Sequence, residues 1–156
     1  MKIIYSVLAL LLVIFACSKD DFETKPKISI KSVSPEFVPY NAPLRVRFEF
    51  RDKEGDVDDT LTMIRERLNI NGSEVALPIE YDIPDFPDKN KGEFEVTVPF
   101  VFGLTLDMDP IDIPGNPNKD EEDTLRLKFV VRDKAKNISD TAVIDRVIVS
   151  RTPHTP

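Results

Sequence analysis

The chain has 156 residues, a formal net charge of −7, 31% charged residues, 13 Pro against 5 Gly, no Trp, one cysteine and one histidine. A single cysteine excludes an intrachain disulfide, a redox pair and a thiolate metal cage, and a lone His154 in a Pro-rich tail leaves no Ser-His-Asp or Cys-His arrangement and no two-histidine metal site. The acidic balance argues against nucleic acid, whose binders supply clustered Lys and Arg to replace phosphate counterions.

Residues 3–15 are almost wholly apolar, follow Lys2 and end at the small Ala16. That is the layout of a secretory signal, here residues 1–16. An apolar run of about 13 residues is too short to cross a ~30 Å hydrocarbon core comfortably as a helix. Taking 16 residues from 156 leaves 140, the size of one domain, and losing Lys2 moves the formal charge from −7 to −8. Ile14-Phe15-Ala16-Cys17 resembles the lipobox of bacterial lipoproteins. The resemblance implies that Cys17 is acylated and becomes the first mature residue. Cys17-Ser18-Lys19-Asp20-Asp21 is similar to the mature start of surface lipoproteins of Bacteroidota-type Gram-negative bacteria. In that family a Ser and acidic residues after the lipidated Cys direct export, which implies a lipid anchor in the outer membrane and a domain facing the medium. Residues 17–27 carry charges and Pro26 without periodicity and read as a tether.

From residue 28 the pattern has a period of two. Ile28 and Ile30 make a short first strand. Leu44, Val46, Phe48 and Phe50 alternate with Arg45, Arg47, Glu49 and Arg51, which puts every apolar group on one face. The run from Phe94 to Phe102 alternates too, with Pro99 placing it at an edge or a bulge. Leu125, Leu127, Phe129 and Val131 repeat the pattern, and residues 143–149 read as a last strand partly covered on each side.

Residues 60–77 admit two readings. Leu68 and Ile70, then Asn71-Gly72, then Val75 and Leu77 look like a hairpin, because Asn-Gly supplies the positive φ angles of a type I′ turn. Leu61, Ile64 and Leu68 also fit one helical face capped by Asp59. The hairpin is favoured. Residues 81–90, with Pro84 and Pro87, read as loop, and residues 107–123 as a long acidic loop. No repeat and no second domain boundary is visible.

Strands at this spacing with polar turns predict an all-β fold, an antiparallel sandwich of about seven strands over residues 28–150, with residues 151–156 as a tail. Phe129-Val130-Val131-Arg132-Asp133-Lys134-Ala135-Lys136-Asn137-Ile138-Ser139-Asp140 resembles the strand and turn of immunoglobulin-like and fibronectin-like modules of bacterial surface proteins. Phe50-Arg51-Asp52-Lys53-Glu54-Gly55-Asp56-Val57-Asp58 resembles the F-x-D-x-D-G-D-x-x turn of Bacteroidota surface lipoproteins, with Glu54 where that pattern prefers Asp. Both imply a module and not an activity.

In such a sandwich the loop after the second strand and the loop before the last share one end. Asp52, Glu54, Asp56, Asp58 and Asp59 then approach Asp133, Asn137, Ser139 and Asp140, an oxygen-only set suited to calcium. The spacing differs from the twelve-residue calcium loop, and Asp-rich turns are ordinarily just solvated. Asp59-Thr60-Leu61, Asp123-Thr124-Leu125 and Asp140-Thr141-Ala142 resemble the Asp-Ser/Thr-apolar acceptor of O-glycosylation on exported Bacteroidota proteins, which implies Thr60, Thr124 and Thr141 as candidates. The competing reading is Asp ending a turn and Thr opening a strand. Asn71 and Asn137 stand in N-linked sequons but read as turns.

Two function classes follow. One is a non-enzymatic surface module for a protein partner. The other, common in the family it resembles, is a glycan-binding accessory of polysaccharide capture. The absence of Trp favours the first, with Tyr81 and Phe86 as the loop-side aromatics a glycan would need. A carboxylate-pair hydrolase is a distant third, because the acidic residues fall in turns.

Overall fold

A computed structural model describes residues 24–57, 59–85 and 87–153. Cys17, Asp58, Phe86 and His154 lie outside them, as do the residues read from the sequence as a signal and most of those read as a tether. The strands are β1 (Lys27–Ser34), β2 (Phe37–Val38), β3 (Leu44–Arg51), β4 (Thr60–Arg67), β5 (Glu74–Val75), β6 (Ile79–Asp82), β7 (Lys91–Val98), β8 (Asp112–Ile113), β9 (Asn116–Asp120), β10 (Asp123–Arg132) and β11 (Ala142–Val149). A π-helical turn spans Phe100–Leu104. The chain is all-β, and no helix among the described residues is long and apolar enough to cross a membrane.

One sheet has the order β1-β3-β7. The other runs β2-β11-β10-β4, with β5 and β6 both pairing β4. Every ladder is antiparallel except β11 with β2. β8 and β9 form a separate hairpin inside the stretch read as acidic loop. Among the described residues eleven strands therefore stand where alternation predicts about seven. The surplus is mostly two-residue pairings at β2, β5 and β8, too short for a period to show.

The inward faces are those the alternation predicts. Leu44, Val46, Phe48 and Phe50 of β3 pack with Leu125, Leu127, Phe129 and Val131 of β10 in a single core. Phe48 joins the sheets, stacked on Phe94 and edge-on to Phe129, each at 5.1 Å between ring centres. Aromatic pairs at this spacing add about 0.5–1.5 kcal/mol beyond their buried area.

Three local readings change. Residues 60–67 are a strand, so the helical alternative fails: Leu61 and Met63 face the core and Ile64 does not. A hairpin does enclose Asn71-Gly72, with Glu66 opposite Val75 and Arg67 opposite Glu74, but it is not the two-residue type I′ turn: residues 68–73 all lie in the connection, only Gly72 of the pair has a positive φ, and the first arm is Thr60–Arg67 and not Leu68 and Ile70. β7 stops at Val98. Pro99 has no N–H to continue the ladder, and the chain turns through Leu104 N–H to Pro99 O (2.9 Å) and Thr105 N–H to Phe100 O (3.0 Å). In β11 a register shift sets Arg126 against both Asp145 and Arg146. The bulge changes the phase, so Ala142 and then Val147 and Val149 turn inward, which is why that strand reads as apolar on both faces.

Candidate functional site

The end of β3 and the end of β10 lie side by side and each runs straight into an Asp-led turn. Asp52 is fully buried. Its Oδ2 accepts from the backbone N–H of Gly55 (2.7 Å) and of Asp56 (3.2 Å), closing the first turn. Gly55 has φ +78°, and a Cβ there would meet the backbone nitrogen of Lys89 at 2.7 Å. Only glycine fits. In the second turn Asp133, also fully buried, accepts from Asn137 N–H (2.7 Å) on Oδ1 and from Asn137 Nδ2 (2.9 Å) on Oδ2. Lys134 N–H donates to Asp56 O (3.1 Å) and fastens the two turns together.

One carboxylate oxygen each of Asp52, Asp56 and Asp133 lies within 4.8 Å of the others. Oδ1 of Asp52 and Oδ1 of Asp56 are buried and have no hydrogen-bond partner. Among the described residues no Lys or Arg forms an ion pair with any of the three. Burial pushes the Asp52 carboxyl above its ordinary range against the pull of the two backbone N–H groups, and the neighbouring Asp56 pushes the same way.

The remaining residues of the predicted set are placed otherwise. Glu54 is exposed. Asp59 binds Arg132 and Lys136, each at 3.0 Å, and the Lys136 hydrogen bond, followed by that of Arg132, holds it below the usual carboxylate range. Asp140 is exposed and pairs with Lys25, at the start of the described chain. The Ser139 hydroxyl is engaged with the backbone of Val131 and Asp140. Asn137 reaches the cluster only through Asp133.

The opposite end of β10, about 30 Å away at ~3.3 Å per residue, holds a network that alternation does not reveal. Arg65 and Arg67 occupy the inward phase of β4, and both are buried. Arg65 donates to Leu106 O (2.6 Å), Arg67 to Asp109 O (2.8 Å) and Arg151 to Met108 O (2.9 Å). Three guanidinium groups thus hold the carbonyls of one loop. Asp123, fully buried, pairs with Arg67 (3.2 Å) and with Arg151. Burial raises its carboxyl above the ordinary range, with both arginines opposing. The only sequence signal is a pair of Arg continuing the phase of Leu61 and Met63.

Beside this network the β8-β9 hairpin, the start of β10 and the end of β11 line a cleft of about 520 Å³, with Lys119, Glu121, Arg146 and Ile148 among its walls. Of the three threonines, Thr60 is buried and accepts from Arg132, Thr124 is half-buried in the cleft wall, and Thr141 is exposed. Tyr81 lies on β6, not in a loop, and its buried hydroxyl is turned to the protein beside Gly103.

No family model matches the chain, and no curated protein matches it. Among solved structures it is similar to a late embryogenesis abundant protein (13% identity, TM-score 0.39, covering 98% of this chain and 86% of that one). It is also similar to a β-glucosidase from Listeria innocua (12%, 0.41, covering 83% and 16%). A third is the sporulation control protein Spo0M from Bacillus subtilis (13%, 0.37, covering 81% and 49%). Likeness this distant assigns no activity to the chain.

Proposed function

We propose that this chain is a non-enzymatic lipoprotein of the outer-membrane surface, held by acyl groups on Cys17, whose sandwich presents a protein-contact surface away from the membrane. The observation that carries the reading is the separation of the two ends. Lys25 pairs with Asp140 and Lys27 lies opposite Arg51, so the tether enters beside the Asp-led turns. The clamped loop and the cleft are at the far end of β10. An anchored module with this build offers its far end to a partner.

The finer fold assignment belongs to the same reading. Without the short pairings, the strands are β1-β3-β7 in one sheet and β6-β4-β10-β11 in the other. This two-sheet partition supports an immunoglobulin-like or fibronectin-like sandwich of seven main strands.

The test uses cells producing the full chain. Ile113→Cys, on the far hairpin, should react with a membrane-impermeant maleimide in intact cells and stay with membranes through a salt wash, as several acyl chains require. Cys17→Ser should be released or stalled. A photocrosslinking residue at position 113 should give one discrete protein adduct, and one at position 25 none. Labelling that appears only after lysis, or equal fractionation of the Cys17→Ser chain, overturns the surface anchor. Equal crosslinking at both ends overturns the contact surface.

A further inference from the structure

We propose that Asp52, Asp56 and Asp133 bind one calcium ion at the tether end of the sandwich. Three carboxylates converge there. Two are fully buried, no basic side chain among the described residues pairs with any of them, and two of their buried oxygens lack any hydrogen bond. Buried carboxylate charge without a partner is strongly disfavoured in any fold and is ordinarily removed by pairing, by a metal or by a proton. A proton shared by Asp52 and Asp56 cancels one charge of three. A divalent cation cancels two and occupies both open oxygens.

The ligand chemistry favours calcium. Calcium takes six to eight oxygen ligands in flexible geometry, which suits carboxylates brought from two separate turns with their oxygens within 4.8 Å of one another. Magnesium demands near-ideal octahedral angles, keeps several waters and is held by one or two carboxylates, and among the described residues no nitrogen or sulfur ligand joins the three to favour a transition metal. The Asp133 oxygens each accept one hydrogen bond from Asn137 and keep a second lone pair for a cation. Those bonds also fix the carboxylate, as outer-shell partners of metal ligands do. Asp56 is only half-buried and gives the ion a way in from solvent, with water completing the shell.

The site joins two loops otherwise fastened by the Lys134 to Asp56 backbone bond. It stands independently of the anchor reading, since membrane fractionation and ion binding are separate measurements. The experiment is equilibrium dialysis of the full chain in detergent against radioactive calcium, with thermal unfolding in millimolar calcium and in chelator. One ion per chain is expected, and a midpoint rise of about 5–10 °C at a hundredfold excess over Kd. Asp56→Asn should abolish the rise. In chelator that variant should be at least as stable as the parent, because its amide can donate to the open oxygen of Asp52 where a carboxylate cannot. No calcium retained by the parent, the same rise in Asp56→Asn, or an equal rise with magnesium overturns the assignment.

Discussion

The Arg67 guanidinium and the Asp123 carboxylate meet at 3.2 Å with their side chains 3% and 0% exposed, which puts a buried ion pair at the far end of the molecule. Arg67 and Arg151, which also pairs with Asp123, each hold a carbonyl of the 106–109 loop, so removing the carboxylate charge takes the acidic partner from the buried Arg151 and leaves Arg67 with Glu74 at the surface. Asp123→Asn should destabilise the fold by about 3–5 kcal/mol, the usual cost of breaking a buried pair from one side. Chemical denaturation measures it. Asp145→Asn, which removes the exposed one of the two carboxylates that pair with Arg126, should change stability by less than about 1 kcal/mol.

Acid should act on the calcium site in a defined direction. The Asp52 carboxyl is raised by burial, so the folded chain holds that proton more tightly than the unfolded chain does. Its contribution to stability is therefore full below the ordinary Asp range and is lost as pH rises through the folded value. Calcium needs the deprotonated form. The calcium-minus-chelator difference in midpoint should be largest near neutral pH and shrink as pH falls toward the ordinary Asp range. A difference that grows on acidification contradicts it.

Surface carboxylates respond with the opposite sign. Lys136 lowers Asp59, Lys25 lowers Asp140, Lys91 lowers Glu49 and Lys128 lowers Glu66. Their stabilisation is present above the unfolded values and lost as pH falls through the folded ones. Since all four are solvent-screened pairs, salt should flatten that part of the acid limb and leave the calcium difference intact.

Gly55→Ala should be more harmful than its size suggests. The residue has φ +78° and the new Cβ would lie 2.7 Å from backbone of Lys89. Both the strain and the displaced backbone fall in the turn that Asp52 closes, so a loss of more than about 1 kcal/mol is expected together with weaker calcium retention. Gly115→Ala has a similar φ (+81°) but nothing within 4 Å, and should cost less and leave calcium binding unchanged.

Glycosylation, if the native host installs it on the folded chain, should fall on Thr141. Thr60 is buried beneath Arg132 and Thr124 donates its backbone N–H to Asn69 Oδ1 (2.8 Å) in the cleft wall, whereas Thr141 is open to solvent. Intact-mass analysis of the parent and of Thr141→Ala decides this: a sugar mass surviving in the variant places it elsewhere.

The strands that carry the core were legible because apolar and charged residues alternate throughout β3 and from Leu125 to Phe129 in β10. β4 was not, because its inward phase passes from Leu61 and Met63 to Arg65 and Arg67, and no hydrophobic rule anticipates a buried guanidinium held by loop carbonyls 41 and 42 residues away. The Asp cluster was partly legible. Turn spacing brought the right two loops together, but it could not separate Asp52, Asp56 and Asp133 from Asp59 and Asp140, which differ in burial and in whether a lysine or arginine reaches them.

The register of β1 on β3 has a mechanical consequence. β1 starts with Lys27 opposite Arg51, next to the segment proposed as a tether, and runs away from it to Ser34 opposite Arg45. A pull on the tether, resisted by a load on the far hairpin, is directed along the strand and across the hydrogen bonds, which lie perpendicular to it. All the paired residues then share the load in shear, instead of parting one at a time as they would if the strand were peeled from its end. A chain leashed at residue 25 and gripped near residue 113 resists force with its whole first ladder.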